Sequence, residues 1–369
     1  MQKRQKRGLR FRRQLDRLLG VPVLWTLGKL RRSRSMPAKI HRVVILQTAA
    51  IGDTILMSQG IRRLRKVLPD AKIVLALGHD NRAVAEVLPR SDEVLLIDVF
   101  SPIAALRALR ALQPDVLIDY GTWPRINAVL TALAGARFTA GFKTPKQDRH
   151  FAYDYPAEHS LQLHEVENQR ALLGFLGATT DWDLSLEIPD STAFNPPLPP
   201  QSFLVFHAWA SGTRKRLKEW PREYWRELGV WMAGKTLGIV LTGGPGDASD
   251  ADSLAELLRA HIRNVPVISV AGSYSLAQTA CLLRTAKAVI SVNTGTMHLA
   301  ALLGVPTIGL SGPSDPARWG PYGPQVVSLV PAQGTYGYLS LGFEYPPAVE
   351  PCLQYLSPAQ VTAALSRWL

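Results

Sequence analysis

Only two cysteines, Cys281 and Cys352, occur in 369 residues. That number excludes a disulfide framework, and no metal-ligand spacing accompanies it, so a reducing cytosol fits the pair best. There is no H-E-x-x-H and no Cys/His cluster, and the expectation is a chain without a metal. No window holds the ~18 consecutive apolar residues that a membrane-spanning helix requires. No G-x-G-x-x-G follows the first apolar run, and no G-x-x-x-x-G-K-[ST] occurs anywhere. Dinucleotide dehydrogenases and P-loop NTPases are therefore set aside. Acid is also scarce at one end: residues 1–40 hold thirteen Lys or Arg and a single carboxylate, Asp16. The remaining 29 basic and 28 acidic residues nearly cancel, so the net charge of +13 belongs to an N-terminal appendage and not to the body of the protein.

That appendage, residues 1–40, reads as a basic amphipathic arm. Phe11, Leu15, Leu18 and Leu19 recur at helical spacing among arginines until Pro22, which the pattern predicts as the end of the helix. A short apolar stretch with Trp25 follows, bracketed by Arg31, Arg32 and Arg34. A basic face, an apolar face and an interfacial aromatic describe a segment lying on an anionic bilayer. A solvated tail and a targeting or nucleic-acid arm remain the competing readings; a cleaved signal peptide fits poorly, because basic residues occupy the place of a cleavage site.

From residue 41 apolar runs alternate with helical patterns. RVVILQ (42–47), KIVLAL (72–77), EVLLID (93–98) and DVLIDY (115–120) read as buried parallel strands, with helices at 52–68, 81–88, 102–112 and 124–134 between them. The proline cluster NPPLPP (195–200) marks a linker, after which the alternation restarts through SFLVFH, TLGIVLTG, VPVISV and AVISV. Two Rossmann-like halves follow, with ligands expected at the carboxyl ends of their strands.

Four strand ends carry residues of chemical interest. Asp53 follows Gly52 where the first strand becomes a helix: it is either a carboxylate favoured by the helix dipole or a base placed to take a proton from a hydroxyl. Ser211, Gly212 and Thr213 form a small-residue loop before Arg214, Lys215, Arg216 and Lys218, either an anion site suited to diphosphate or a solvated basic loop. Gly243, Gly244, Asp247 and Asp250 offer close backbone approach and ribose acceptors, with helix capping an equal alternative. Asn293, Thr294, Gly295, Thr296 and His298 open a helix whose N–H groups favour phosphate, although a histidine there is also a common core residue.

In this order the motifs resemble those of glycosyltransferase family 9, the heptosyltransferases of lipopolysaccharide core assembly. The resemblance rests on G-D with a helix ending L-P (52–53, 68–69), HEVENQRALLGFLG (164–177), K-E-W-P (218–221), TGTMHLAALLGVPTIGLSGPSDPARWGPYG (294–323) and PCLQYLSPAQVTAAL (351–365). It implies an α/β GT-B fold, two Rossmann-like doubly wound domains facing a central cleft: an acceptor domain at 41–195 and a sugar-nucleotide domain at 196–369, with the last helix, 357–368, packing back on the first. It implies inverting, metal-independent transfer from a nucleotide-diphosphate sugar, usually ADP-heptose, with no cofactor. Asp53 would be the general base, Lys218 would neutralise the departing diphosphate, and Thr294, Gly295 and His298 would cradle it. The expected partners are the sugar nucleotide, a glycolipid acceptor and the inner-membrane surface, with no nucleic acid; the expected state is a monomer, peripheral on the cytoplasmic face. A sugar-nucleotide 2-epimerase or a non-catalytic membrane-binding protein would share much of this pattern. Three positions depart from the family: Asn293 where Asp is common, Gln59 where Pro is common, and Ala49 and Ala50 where small hydroxyl residues are common.

Overall fold

The computed structural model describes residues 2–30, 33–177, 183, 185–189, 192–212 and 214–369; of residues 2–15 it describes the backbone. The chain divides into two compact units, one of Met1–Ala85 with Pro89–Asp183, the other of Glu86–Leu88 with Leu184–Leu369. The division thus falls before the proline cluster.

The first unit runs α1 (Gln2–Leu30), β1 (Arg42–Gln47), α2 (Ile51–Leu56), α3 (Ser58–Val67), β2 (Lys72–Leu77), β3 (Glu93–Leu96), α4 (Pro102–Ala111), β4 (Val116–Asp119), α5 (Arg125–Leu133), β5 (Phe138–Lys143), β6 (Tyr155–Glu158) and α6 (Glu165–Leu172). Its six strands are all parallel, in the order β3-β2-β1-β4-β5-β6. The runs of Val, Ile and Leu in β1, β2 and β4, at the centre of the sheet, are buried because both faces of such a sheet are covered. Val44, Leu46, Val74, Ala76 and Leu117 form one core with Ala105, Leu109 and Leu130 of the helices. The helical pattern at 52–68 breaks at Met57 into α2 and α3.

The second unit runs β7 (Phe203–His207), α7 (Arg222–Ala233), β8 (Gly238–Leu241), α8 (Ala248–His261), β9 (Val267–Ser269), α9 (Leu276–Thr285), β10 (Ala288–Val292), α10 (Gly295–Leu302), β11 (Thr307–Leu310), α11 (Pro316–Trp319), β12 (Val326–Leu329) and α12 (Pro358–Leu365). Its parallel sheet has the order β12-β11-β10-β7-β8-β9, the same winding as the first. Both units therefore reverse strand order between their first and fourth strands, β1/β4 and β7/β10. At such a reversal the connecting loops diverge to opposite faces and leave a crevice outside the carboxyl edge. Trp225 lies in this core with its ring 5.0 Å from Phe206 and 5.1 Å from Trp220. The closing helix α12 buries Val361, Ala364 and Leu365 in the second unit's core, against α7, β11 and β12.

The N-terminal helix also differs from expectation, since α1 continues through Pro22 to Leu30. An interior proline costs about 3 kcal/mol, and packing on both sides of it offsets that cost. Before it, Asp16 pairs with Arg125 at 3.0 Å; after it, Leu24 is fully buried among Ala128, Ala152 and Tyr153. Gly20 and Gly28 sit so close to their neighbours that a Cβ would fall 2.8 Å from Arg125 and 2.9 Å from Phe151. Arg34, read in sequence as part of a lipid-facing basic cluster, is instead an internal tie: it pairs with Asp154 at 3.0 Å and donates to the Ala136 carbonyl. Arg31 and Arg32 lie outside the described residues.

Candidate active site

In the first unit, the turn that carries Asp53 is fixed from several directions. Beyond β1, the Thr48 hydroxyl bonds the Asn127 side chain of α5 at 3.0 Å. Asn81 donates to the Gln47 carbonyl at 2.9 Å and to the Thr54 hydroxyl at 2.7 Å; Thr54 in turn donates to Ala50 O at 2.7 Å. The side chain of Gln169 on α6 reaches the carbonyl of Asp53 itself at 3.4 Å. Asp53 is partly exposed in the first turn of α2, with its backbone held. Of the departures, Gln59 has a structural use: its amide donates to Val166 O at 3.0 Å and joins α3 to α6.

Across the β1/β4 reversal lies a group that sequence reading missed. Asp119 closes β4 fully buried, accepting from Arg149 at 2.5 Å, from Tyr153 at 2.8 Å and from the Gly121 amide at 2.8 Å. Burial pushes its carboxyl up, opposed chiefly by the Arg149 guanidinium and then by the Tyr153 hydroxyl. Arg149 also donates to the Pro124 carbonyl at 2.8 Å, so this one cation shapes the loop from β4 into α5. The only sequence signal was the second acid of DVLIDY; Arg149 and Tyr153 lie 30 and 34 residues away.

In the second unit, β7 ends at His207, whose Nδ1 lies 3.1 Å from the Thr242 hydroxyl beyond β8. Burial lowers the His207 pKa to about 4, which keeps the ring neutral near pH 7. Trp209 donates to the Thr242 carbonyl at 3.0 Å. Gly243 serves that contact: a Cβ there would fall 2.8 Å from the Trp209 ring, so its small size makes room for an indole. Asp247 is engaged as a cap, accepting from the Gly244 amide at 3.0 Å, and the exposed Asp250 lies 3.6 Å from Lys215. The sequence alternative of helix capping at this turn therefore has the stronger geometry.

The loop after β7 exposes Ser211 and Gly212, with Gly212 at φ +79°, a left-handed conformation that favours glycine. Thr213 lies outside the described residues. Lys218 folds back over the loop and donates to the Ser211 carbonyl. Burial pulls its ammonium below the usual lysine range, opposed by the neighbouring Glu219 carboxylate. Glu219 accepts from the Ala210 amide at 3.3 Å, tying the far end of the loop.

Beside it, β10 pairs with β7 in a register that sets Ser291 opposite His207. Thr294, Gly295 and Thr296 are partly exposed where α10 begins, and no side chain caps that helix end. The first N–H groups of a helix have no intrahelical partner and carry the positive end of its dipole. His298 is buried in the same helix with Met297 and Leu299. Asn293 donates its amide to the Trp319 carbonyl at 2.7 Å, a bond that an ionised Asp cannot make. Among the described residues no group of three His, Cys, Asp or Glu is arranged to hold a metal ion.

The profile of glycosyltransferase family 9 (heptosyltransferase) matches residues 103–336. The chain belongs to this family. It is thus a glycosyltransferase, similar to lipopolysaccharide heptosyltransferase 1 of Escherichia coli K12, at 31% identity over 79% of this chain and 94% of the relative. Lipopolysaccharide heptosyltransferase 1 of Pseudomonas aeruginosa is 28% identical, over 78% of this chain and 83% of that one. Among solved structures, the family 9 glycosyltransferase of Veillonella parvula superposes with a TM-score of 0.71 at 21% identity, covering 91% of this chain and 99% of that one. E. coli heptosyltransferase WaaC with ADP superposes at 0.67 and 24% identity, covering 89% of this chain and all of that one. These likenesses fix the fold of this glycosyltransferase as GT-B. The family profile begins at residue 103 and so leaves out both the Asp53 turn and α1.

Proposed function

We propose that this glycosyltransferase moves a heptose from ADP-heptose to a hydroxyl of a lipopolysaccharide core acceptor, with inversion and without a metal, at the cytoplasmic face of the inner membrane. The relatives named lipopolysaccharide heptosyltransferase 1 support the acceptor, and solved WaaC complexes with ADP and with ADP-2-deoxy-2-fluoro heptose support the donor. The observation that carries the reading is the uncapped start of α10 beside the Lys218 loop, on adjacent strands at a strand-order reversal. In this reading Asp53 removes the acceptor proton, the freed oxygen attacks the anomeric carbon, and the bond from that carbon to the diphosphate oxygen breaks. The electron pair leaves on ADP, which needs no proton at neutral pH, so one carboxylate suffices. The charge that develops on the diphosphate meets the N–H groups of Gly295 and Thr296, the hydroxyls of Thr294 and Thr296, and the Lys218 ammonium. Fixed donors and cations aimed at developing charge supply the stabilisation that a metal would otherwise bring. Ser211 and Gly212 line the same loop, and Gly244 offers an exposed backbone to the nucleoside.

Calorimetry with ADP-, UDP- and GDP-heptose tests the donor: the expected result is binding of the ADP sugar alone at micromolar concentration. Equal binding of UDP- or GDP-sugars overturns the donor assignment.

Lys218 gives a second test through pH. The residue acts as a cation, and its pKa is lowered, so kcat/KM falls with rising pH below the range in which an ordinary lysine loses its proton. Lys218→Arg, which stays charged, removes that alkaline limb, and Lys218→Ala costs on the order of 10²–10³ in kcat. An alkaline limb that persists in the Arg variant rules Lys218 out.

A further inference from the structure

The docked half of α1 has an unusual exposed face. Asp16, Gly20, Leu24 and Gly28 recur every four residues and form the stripe that meets the first unit. On a docked helix the opposite face is ordinarily polar. Here Leu18 is 70% exposed, Leu19 59%, Val23 41%, Trp25 49% and Leu30 79%. They fall on two neighbouring rows of the helix, 18-22-25-29 and 19-23-26-30, which contain one charge, Lys29. That charge lies 3.8 Å over the Trp25 ring, its stem along the apolar surface. Single exposed apolar residues are ordinary; five on one helical face are not.

Charge complementarity names the occupant. Residues 1–40 carry thirteen Lys or Arg against Asp16, which is already paired with Arg125. An apolar row with an interfacial tryptophan, in a segment with thirteen cations to one carboxylate, matches the boundary between anionic headgroups and acyl chains. No described helix is long and apolar enough to cross a membrane. We propose that the outer face of α1, Leu18 to Leu30, is a seat for an anionic bilayer that holds the first unit in one fixed orientation. This rests on the reading of the chain as a membrane-surface enzyme and adds which face binds and which edge it presents.

The orientation follows from direction. Asp16 meets Arg125 at the first residue of α5, Gly28 lies on Phe151, and Arg34 reaches Ala136 beyond the end of α5. So α1 runs alongside α5 in the same sense, and α5 starts at the carboxyl edge of β4. The Asp16 end of the seat therefore stands at the edge of the sheet that carries Asp53. The seven bases of residues 1–15 continue from that end. Lipid held along α1 is then presented on the side where the acceptor hydroxyl is needed.

Sedimentation with phosphatidylethanolamine vesicles containing phosphatidylglycerol, against neutral phosphatidylcholine vesicles, tests this on the full chain with Leu18→Ser/Trp25→Ser. Both residues are exposed and neither belongs to the buried cluster of Leu24, Ala128, Ala152 and Tyr153, so the variant is expected to keep the wild-type melting temperature. Wild type is expected to partition onto anionic vesicles, and the variant to bind at least about tenfold less. Equal binding by the variant overturns the apolar seat and leaves a purely electrostatic arm. No wild-type binding to anionic vesicles overturns the membrane reading itself. A lipid-free dimer by analytical ultracentrifugation that the variant abolishes assigns the face to a second copy of the chain and overturns the proposal.

Discussion

Asp53→Asn is expected to lower kcat by about 10²–10⁴-fold, the usual contribution of a positioned general base, with ADP-sugar binding unchanged. The substitution keeps size and one hydrogen-bonding oxygen but removes the capacity to hold a proton. The turn has ties besides the carboxylate: Asn81, Asn127, Thr54 and Gln169 act on the backbone and on neighbouring side chains. Losing a carboxylate from the first turn of a helix costs about 0.3–1 kcal/mol, too little to unfold a unit of this size. The defect should therefore sit in the chemical step. Single-turnover transfer separates that step from product release, and calorimetry on the same preparation reports donor binding. Transfer within about tenfold of wild type would remove Asp53 from the mechanism.

Arg149→Met has the largest expected effect on stability. It leaves the Asp119 carboxylate fully buried with Tyr153 and the Gly121 amide as its remaining partners. Breaking a buried pair from one side costs about 3–5 kcal/mol, because the stranded charge keeps its desolvation penalty. The loss should appear in hydrogen exchange as weaker protection of β4 and β5, with β7 and β10 unchanged. Replacing both partners, Asp119→Leu with Arg149→Met, should recover much of the loss, since an apolar pair of similar volume strands no charge. If the double variant is no more stable than the single one, the interaction is not a pairwise ion pair, and the Tyr153 hydroxyl or the Pro124 carbonyl carries the cost instead. Because the same guanidinium shapes the loop at the carboxyl edge of β4, the single variant should also weaken acceptor use more than donor binding.

The central strands were legible because a sheet covered on both faces leaves a plain mark: KIVLAL and AVISV are strands from their first residue to their last. Strands with small and polar residues leave a weaker one. FTAGFK, between β4 and β6, and YPAE, at the sheet edge, carry Thr, Gly, Pro, Lys and Glu, and the sequence reading assigned neither as a strand. Pro22 misled for a different reason. Local propensity ends a helix there, and only the contacts of Asp16, Leu24 and Gly28 with α5 and Phe151, more than a hundred residues away, keep it going. In the candidate site, the residues on strand ends were found because the winding of the sheet puts them there. Asp119 with Arg149 and Thr48 with Asn127 were not, since neither pair is close in sequence. At Gly243 and Asp247 the sequence allowed both a ligand and a structural use, and the geometry gives each a structural partner.

The docking of α1 bears on how this protein should be handled at the bench. Trimming a basic leader is a common first step in preparing a soluble enzyme, and here the cut would pass through a folded unit. It would uncover Ala128, Ala152 and Tyr153 where Leu24 sits, and leave Arg125 without Asp16 and Asp154 without Arg34. A shortened chain that fails to bind vesicles, or fails to turn over, would then report a damaged first unit as readily as a lost membrane seat. Point changes on the outer rows of the helix are the cleaner instrument, and an expression plasmid for this enzyme should keep α1 whole.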